Sequence, residues 1–204
     1  MNIPSEKKCF ELIEKMGMMD HIIDHSIMVS NVARFLCQNL KDANADLDIR
    51  LARSSALLHD ITKTRSFETK ENHAETGGQI LTQLGYPEVG DIIRQHVILD
   101  SYELDSPVTI PEIVNYSDKR VLHDKVVSLT QRLEYIKIKY GTKKKFRDRI
   151  QIMWGNTVNL ENKIFIHLTI GPSQLSGCVT QDIQKRTGLN ESFTTNRIKN
   201  NPCC

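Results

Sequence analysis

The histidines of this sequence are concentrated in one part of the chain, where they alternate with aspartates. Six of the seven histidines lie between positions 21 and 123, a stretch that also carries Asp24, Asp60, Asp118 and Asp124. Imidazole and carboxylate groups are common ligands of divalent metal ions. A single histidine near an apolar helix face is more often a hydrogen-bonded boundary residue, so a metal site requires several of these residues to meet.

The adjacent residues His59 and Asp60 follow directly on the apolar run 56–58. Burying an imidazole and a carboxylate beside apolar residues is unfavourable unless the two groups are paired or bind a metal ion. At a helix end the imidazole can bind one ion while the carboxylate, with two oxygens, reaches a second. From this segment alone, an exposed helix end where both groups meet water explains the pair equally well.

Four further residues of these types lie on predicted helices: His25 on a long helix, His73 in the first turn of another, His96 near the end of the next and Asp118 within a fourth. Ligand sites in helical bundles are built from side chains on facing helices, so these residues can meet despite their separation in sequence. Imidazole and carboxylate without thiolate favour Fe, Mn, Zn or Mg in an open site over a closed structural zinc site.

The elements that must position these residues are helices, because apolar residues recur at helical spacing up to about residue 168. We predict a loop over residues 62–71 and a helix that begins after Asn72 and ends at Gly85. Since no strand precedes Gly77 and Gly78, they indicate close packing of two helices rather than a phosphate loop. The prediction is an all-α fold, a compact bundle of six to eight helices in residues 1–170, with a polar C-terminal tail or appendage in residues 171–204.

Length, composition and charge exclude several classes of protein. The 204 residues are 39% hydrophobic and 25% charged with a net charge of +2, which is typical of a soluble globular domain. No apolar run suits a membrane helix or a signal peptide, so we expect a cytoplasmic protein with no membrane partner. The small net charge also argues against a dedicated nucleic-acid surface. The basic run from Lys137 to Arg149 is either a solvated helix face or an electropositive rim for a phosphate-bearing substrate.

Together these residues resemble the HD-domain superfamily of metal-dependent phosphohydrolases. The resemblance covers about residues 20 to 125 and depends on an ordered set in helical contexts: His25, His59-Asp60 with Lys63 after it, His73, His96 and Asp118. The fold of this family is all-α, in agreement with the apolar periodicity. Thr62 is a departure, because many relatives with the HDIG form of the motif carry glycine there, and this leaves the subfamily open.

The resemblance implies a site for two divalent transition-metal ions that share one carboxylate. The implied ligands are His25, His59, Asp60 and Asp118 for one ion, and Asp60, His73 and His96 for the second. Fe and Mn are the expected ions, with Zn, Ni, Co and Mg as alternatives. The two histidines of the second ion, His73 and His96, match the branches of the family that bind two metal ions. Those branches include hydrolases of nucleotides and dinucleoside polyphosphates, and also a few di-iron oxygenases.

The predicted function is hydrolysis of a phosphoester or phosphoanhydride bond in a small phosphorylated substrate, a nucleotide or a dinucleoside polyphosphate. Two cations a short distance apart can activate a bridging water and neutralise charge on phosphoryl oxygens. Asp60 and Lys63 are the expected catalytic residues, and Lys63, Lys119 and Arg120 the expected contacts of the substrate phosphate. For each of these cations, the alternative is a solvent-exposed charge.

Two other functions are compatible with the same residues. A di-iron oxygenase would use the same six ligands, and dependence on oxygen would separate it from a hydrolase. A non-catalytic nucleotide- or metal-binding sensor module would keep the ligands without turnover. The presence of all six ligands argues against the sensor, since loss of catalysis would relax the need for them. A homodimer is compatible with the sequence.

Overall fold

The computed structural model describes residues 1–41 and 47–187. Within these ranges the chain forms ten α-helices, one two-stranded hairpin and one 3₁₀ turn. The elements are α1 (Glu6–Lys15), α2 (Asp20–Lys41), α3 (Ile49–Leu58), α4 (Lys63–Thr69), α5 (His73–Gln83), α6 (Pro87–Arg94), α7 (Ile110–Lys119), β1 (Val121–Leu122), β2 (Lys125–Val126), α8 (Leu129–Tyr140), α9 (Lys144–Phe165), the 3₁₀ turn (Pro172–Gln174) and α10 (Leu175–Thr187). The all-α class is confirmed. The described residues contain more helices than the predicted six to eight because α4 has no buried residue to give an apolar pattern and α10 lies in the segment predicted as a tail or appendage.

Helix α3 lies at the centre of the fold. Asp48 caps its N-terminus by accepting hydrogen bonds from the backbone amides of Arg50 and Leu51, at 2.8 and 3.3 Å. Seven of its ten residues are buried, and α1, α2, α6 and α7 pack around it. His59 and Asp60 follow α3 directly and are buried in the interior. They do not lie at a solvent-exposed helix end.

Helices α5 and α6 form a tight antiparallel pair. The chain turns at Gly85, whose φ of +87° suits glycine, and Pro87 begins α6. A methyl group added at Gly78 would lie 2.7 Å from the carbonyl oxygen of Gly90, and one added at Gly90 would lie 2.5 Å from that of Gly78. The close packing indicated by Gly78 is therefore present, and it sets the spacing between α5, which begins at His73, and α6, which ends two residues before His96.

Replacing Gly78 by alanine should lower the free energy of unfolding by about 1–3 kcal/mol, because the α6 backbone must move away. Gly155→Ala is the matched control. A methyl group at Gly155 in α9 meets no atom within 4 Å, so this change should be neutral or stabilising by up to about 1 kcal/mol. Urea unfolding followed by far-UV circular dichroism measures both variants. Equal stabilities for the two would contradict the close approach.

The predicted loop over residues 62–71 is wrong in part, because it contains α4. No residue of α4 is buried, so this helix has no apolar stripe for periodicity to detect. The helix ends at Thr69, and the next residue, Lys70, adopts a left-handed backbone with φ of 61° and donates its amide to the carbonyl of Ser66. The chain then turns into α5.

Helix α7 ends at Lys119, although the apolar residues Val121 and Leu122 follow at a spacing that would also suit a longer helix. A capping box of Thr109 and Glu112 begins α7, and β1 then pairs antiparallel with β2. His123 in the connecting turn has a φ of 56°, which is unusual for a residue with a side chain. The hairpin thereby holds the backbone of His123 next to α2.

The C-terminal helices cover one side of this core. Helix α8 packs on α9, α9 packs on α7, and α10 packs on α2. The segment predicted as a tail or appendage thus begins with a packed helix, in which Leu175 and Val179 are fully buried. Residues 188–204 of that segment lie outside the described part of the chain. No helix among the described residues has the length and apolar character needed to cross a membrane.

Candidate metal centre

His59 lies immediately after α3 and is completely buried. Its Nδ1 lies 2.7 Å from the carbonyl oxygen of Ala56, which fixes Nδ1 as the donor and leaves a lone pair on Nε2. Within the described part of the chain, that Nε2 is buried and has no hydrogen-bond partner. A buried acceptor nitrogen without a donor is destabilising, and a bound metal ion would satisfy it.

Two further ligand candidates converge on His59 from α2 and α7. The Nε2 of His25 lies 3.1 Å from Oδ1 of Asp118, and the Nε2 of His59 lies 3.8 Å from the same oxygen. The ligand atoms of these three residues all lie within 4.8 Å of one another. The Nδ1 of His25 contacts the carbonyl oxygen of His123 at 3.0 Å, so the hairpin turn orients this imidazole.

A second group forms around Asp60. Its Oδ1 lies 3.1 Å from Nε2 of His73 and 3.5 Å from Nε2 of His96, and its Oδ2 lies 3.5 Å from Nε2 of His59. The two Nε2 atoms of His73 and His96 are 3.2 Å apart. The Nδ1 of His96 donates to the carbonyl of Ile93 at 2.6 Å, so its Nε2 is also free to act as a ligand.

The structure therefore brings all six predicted ligands together in two adjoining groups, with the carboxylate of Asp60 between them. Imidazole and carboxylate groups with no thiolate form a donor set that suits divalent transition metals. The residues fit the implied metal ions. The presence and identity of those ions stay a prediction.

The protonation states favour metal binding. Burial lowers the pKa of His59 to about 3, and burial is also the main reason that the pKa of His73 is lowered. Burial opposes ionisation of Asp60 and Asp118, but neighbouring charges outweigh it. His59 and Lys63 lower the pKa of Asp60 well below its usual range, and Lys119 does the same for Asp118. A metal ion binds only to deprotonated ligands. Because these side chains are already deprotonated at neutral pH, the ion does not have to displace protons from them.

The free energy of unfolding of the chelator-treated protein should fall as the pH is lowered from about 7 to about 4. The pKa of His59 is about 3 in the folded chain, compared with 6.5 for an ordinary imidazole. Between these values the unfolded chain binds more protons at this residue, so stabilisation that is complete above pH ~6.5 is lost as the pH falls. The slope from one such group is up to about 1.4 kcal/mol per pH unit. Chemical unfolding at several pH values measures it.

The matched variants for this pH dependence are His59→Gln and His167→Gln. The first removes the buried titrating group and should flatten the slope, whereas the second changes an exposed histidine just after the end of α9 and should not. If His59→Gln keeps the wild-type slope, a group other than His59 is responsible for the loss of stability in acid.

Of the predicted substrate contacts, Lys63 faces the cavity and Lys119 is buried behind the ligands. The Nζ of Lys63 lies 3.3 Å from both oxygens of Asp60 and lines a cavity beside the ligands. Lys119 is 3% exposed, lies 3.2 Å from Oδ2 of Asp118 and donates to the carbonyl of His96 at 2.5 Å. This geometry suits a positioning role behind the ligands better than contact with a substrate.

Arg120 points away from the ligands. Its guanidinium donates to the carbonyl oxygens of Val127 and Pro172, at 2.7 and 2.9 Å, and to the carboxylate of Glu161 at 2.9 Å. Its donors therefore tie α7 to the hairpin, to α9 and to the 3₁₀ turn. The predicted substrate contact by Arg120 is not supported, because a residue two positions after Asp118 faces another side of the helix.

The Thr62 departure has a structural role. Its side chain is fully buried, and its hydroxyl donates to the backbone carbonyl of His73 at 2.7 Å. A glycine at this position could not make that bond. Thr62 thus helps to fix the first turn of α5, which presents the imidazole of His73 to Asp60.

A cavity of about 250 Å³ opens onto the ligands. It is also lined by four residues that were not selected from the sequence, His21, His123, Arg132 and Tyr135, and by Lys139 of the basic run 137–149. His21 precedes His25 by one helical turn, and that spacing is the signal that points to it. Arg132 and Tyr135 lie on α8, and no motif distinguishes them from the other polar residues of that helix. His123 reaches the cavity through the hairpin that was not predicted.

Sequence comparison finds relatives that share part of the chain. A tRNA (cytidine(56)-2'-O)-methyltransferase of Thermoplasma volcanium is 35% identical over 96 residues, which are 47% of this chain and 26% of that protein. A ribonuclease Y of Thermus thermophilus is 36% identical over 84 residues, 41% of this chain and 14% of that protein. An uncharacterized protein of Methanocaldococcus jannaschii is 28% identical over 122 residues, 56% of this chain and 71% of that protein. This chain thus spans about a quarter or less of the methyltransferase and the ribonuclease.

Comparison with solved structures and with protein families adds two findings. The crystal structure of a predicted HD superfamily hydrolase from an uncultured Thermotogales bacterium matches 92% of this chain and 94% of that chain, with 18% identity and a TM-score of 0.44. Residues 22–136 match the HD domain family, and this range is more than half of the chain and includes all six predicted ligands. The chain therefore belongs to the HD domain family.

Proposed function

We propose that this chain is a metal-dependent phosphohydrolase that cleaves a phosphoester or phosphoanhydride bond of a small phosphorylated substrate, a nucleotide or a dinucleoside polyphosphate. The observation that carries the proposal is the convergence of six ligand side chains beside a cavity that Lys63 also lines. A phosphoryl group needs positive charge and an activated water, and this arrangement can supply both once metal ions are bound.

Each ligand has a defined part in the proposal. His25, His59 and Asp118 would hold one divalent ion, and His73 and His96 a second, with Asp60 between them. Fe or Mn are the proposed ions, which when bound supply Lewis-acid stabilisation of phosphoryl oxygens and activation of water. The hydrogen bonds from Nδ1 of His59 and His96 to backbone carbonyls hold these rings in the orientation that turns Nε2 toward the site.

Lys63 and Asp60 are the proposed catalytic pair. Asp60 stays ionised because the surrounding imidazoles and Lys63 hold its pKa well below its usual range, so it keeps both oxygens available as acceptors. The Lys63 ammonium sits 3.3 Å from these oxygens with 29% of its side chain exposed, so one face remains open to the cavity. From there it can bind a phosphoryl oxygen of the substrate and neutralise charge that develops during cleavage.

The relatives support phosphoester cleavage through their names. Ribonuclease Y of Thermus thermophilus is named for cleavage of RNA, and its matched segment corresponds to 41% of this chain. The methyltransferase of Thermoplasma volcanium is named for another reaction, but only 26% of that protein corresponds to this chain. A segment shared with larger proteins of different names is consistent with a module whose substrate depends on what surrounds it.

Elemental analysis of the purified protein, paired with phosphate and nucleoside release from a panel of nucleotides under air and under nitrogen, tests the proposal. We expect about two metal ions per chain and hydrolysis at the same rate in both atmospheres. Two irons with oxygen uptake and no hydrolysis would indicate a di-iron oxygenase instead. Bound metal or nucleotide with no turnover in either atmosphere would indicate a sensor module.

A further inference from the structure

Arg132 on α8 is a cation beside the site. Its side chain is 16% exposed, and its Nη2 lies 3.7 Å from Oδ1 of Asp118, close enough for an ion pair but too far for a hydrogen bond. Within the described part of the chain, its Nε is buried without a hydrogen-bond partner. A partly buried guanidinium with an unpaired Nε donor beside a cavity can bind an anion that enters from outside.

The charge of the cavity points the same way. Among the described residues that line it are three cations, Lys63, Arg132 and Lys139, and one carboxylate, Asp60. Lys63 accompanies Asp60, whereas Arg132 accompanies Asp118 in the other ligand group. An anion in the cavity would therefore lie near one cation of each ligand group, and Lys and Arg both form charge-assisted hydrogen bonds with phosphate.

The outer part of the cavity is aromatic. Phe67 from α4 and Tyr140 from α8 line it while remaining 47% and 50% exposed. The Nζ of Lys139 lies 5.4 Å from the ring centroid of Tyr135 and 5.6 Å from that of Tyr140, so the cation is held against these rings. Exposed rings at the entrance to a polar cavity can stack on the flat face of a nucleobase.

We propose that the α8 side of this cavity is the recognition site for a nucleoside phosphate, in which Arg132 binds the phosphate and Tyr140 and Phe67 stack on the base. The inference rests on the proposed function and goes further by assigning the substrate class to specific residues. The cavity volume of about 250 Å³ is below the range of about 300–1,000 Å³ of pockets that enclose drug-sized ligands, so it suits a single nucleotide unit whose base stacks at the open entrance. That unit is either a free mononucleotide or the phosphorylated end of an oligonucleotide.

Steady-state kinetics with Mn²⁺ separate the two kinds of contact. Arg132→Gln should raise KM about tenfold for both a nucleoside monophosphate and ribose phosphate, because both carry the phosphate. Tyr140→Ala and Phe67→Ala should raise KM only for the nucleoside monophosphate. The matched controls on the solvent side of α8 are Lys137→Gln and Ile138→Ala, which should leave both values unchanged.

Binding of a non-hydrolysable phosphonate analogue of a nucleoside monophosphate, measured by isothermal titration calorimetry, gives a readout that does not depend on turnover. Arg132→Gln and Tyr140→Ala should each weaken its Kd about tenfold. Comparison with an oligonucleotide that carries a terminal phosphate decides the source, since the natural substrate should be bound and hydrolysed better than the other.

The outcomes distinguish this inference from the proposed function. If the protein hydrolyses phosphate esters but ribose phosphate is as good a substrate as any nucleoside monophosphate, the recognition site is wrong while the phosphohydrolase stands. If no phosphate ester is hydrolysed, the proposed function fails. In that case, weaker analogue binding by Arg132→Gln and Tyr140→Ala still supports the recognition site, and an absence of binding to the wild type overturns it.

Discussion

Asp60→Asn should lower turnover of a phosphorylated substrate more than about a hundredfold. Loss of a group that only supports a metal ligand already costs about 10- to 100-fold, and Asp60 is itself a proposed ligand. The substitution should also lower the metal content of the purified protein. The reason is geometric, since the oxygens of Asp60 lie within 3.1 to 3.5 Å of Nε2 of His73, His96 and His59. An amide at this position keeps the shape of the side chain but loses the charge that two cations would share. Elemental analysis and initial rates at saturating Mn²⁺ measure the two effects.

The chain provides a close control for this variant. Asp124 belongs to a second His-Asp pair, but it is exposed in the hairpin turn, so Asp124→Asn should leave activity and metal content unchanged. Should Asp60→Asn fail to fold, His73→Asn is the second test, because the side chain of His73 is 19% exposed and tolerates a smaller group better. Wild-type activity and metal content in a folded Asp60→Asn would show that the catalytic centre lies elsewhere.

The six candidate ligands could be selected from the sequence because imidazole and carboxylate groups suit a metal site and because their order along the chain resembles that of the HD-domain superfamily. Imidazole and carboxylate are the available ligands, and their positions relative to helix ends are visible in the apolar pattern. Thus His59 and Asp60 follow the buried stripe of α3, and His73 follows the capping residue Asn72. The close approach at Gly78 was also predictable, because glycine within a helix is unfavourable and its presence indicates a place where two backbones meet.

The substrate side of the site could not be predicted in the same way. Lys63, Arg120 and Arg132 are all cations on or next to helices. The local sequence does not show that Arg120 binds backbone carbonyls of neighbouring elements whereas Lys63 and Arg132 face the cavity. That difference depends on how the hairpin packs against α2 and α7 and on how α8 packs against α9. The hairpin itself has two residues in each strand, too few for an alternating pattern to appear.

A buried ion pair links the C-terminal helices to this centre. Lys163 in α9 is 7% exposed, and its ammonium donates to Oε1 of Glu112 at 2.7 Å, to the carbonyl of Glu103 at 2.7 Å and to the hydroxyl of Ser106 at 3.1 Å. All three donors of the ammonium are therefore used. The other oxygen of Glu112 accepts from the backbone amide of Thr109 at 2.8 Å and begins α7, the helix that carries Asp118.

Lys163→Met should lower the free energy of unfolding by about 3–5 kcal/mol, because it removes one partner and leaves the carboxylate of Glu112 buried without a counter-charge. Urea unfolding measures the loss, and Lys145→Met, an exposed position on the same helix, should stay within about 0.5 kcal/mol of the wild type. Adding Glu112→Gln to Lys163→Met should recover part of the stability, because the uncompensated charge is then absent. If the single variant loses no more than Lys145→Met does, the pair contributes little, and α7 is held in place by its apolar contacts and by the bonds of Arg120.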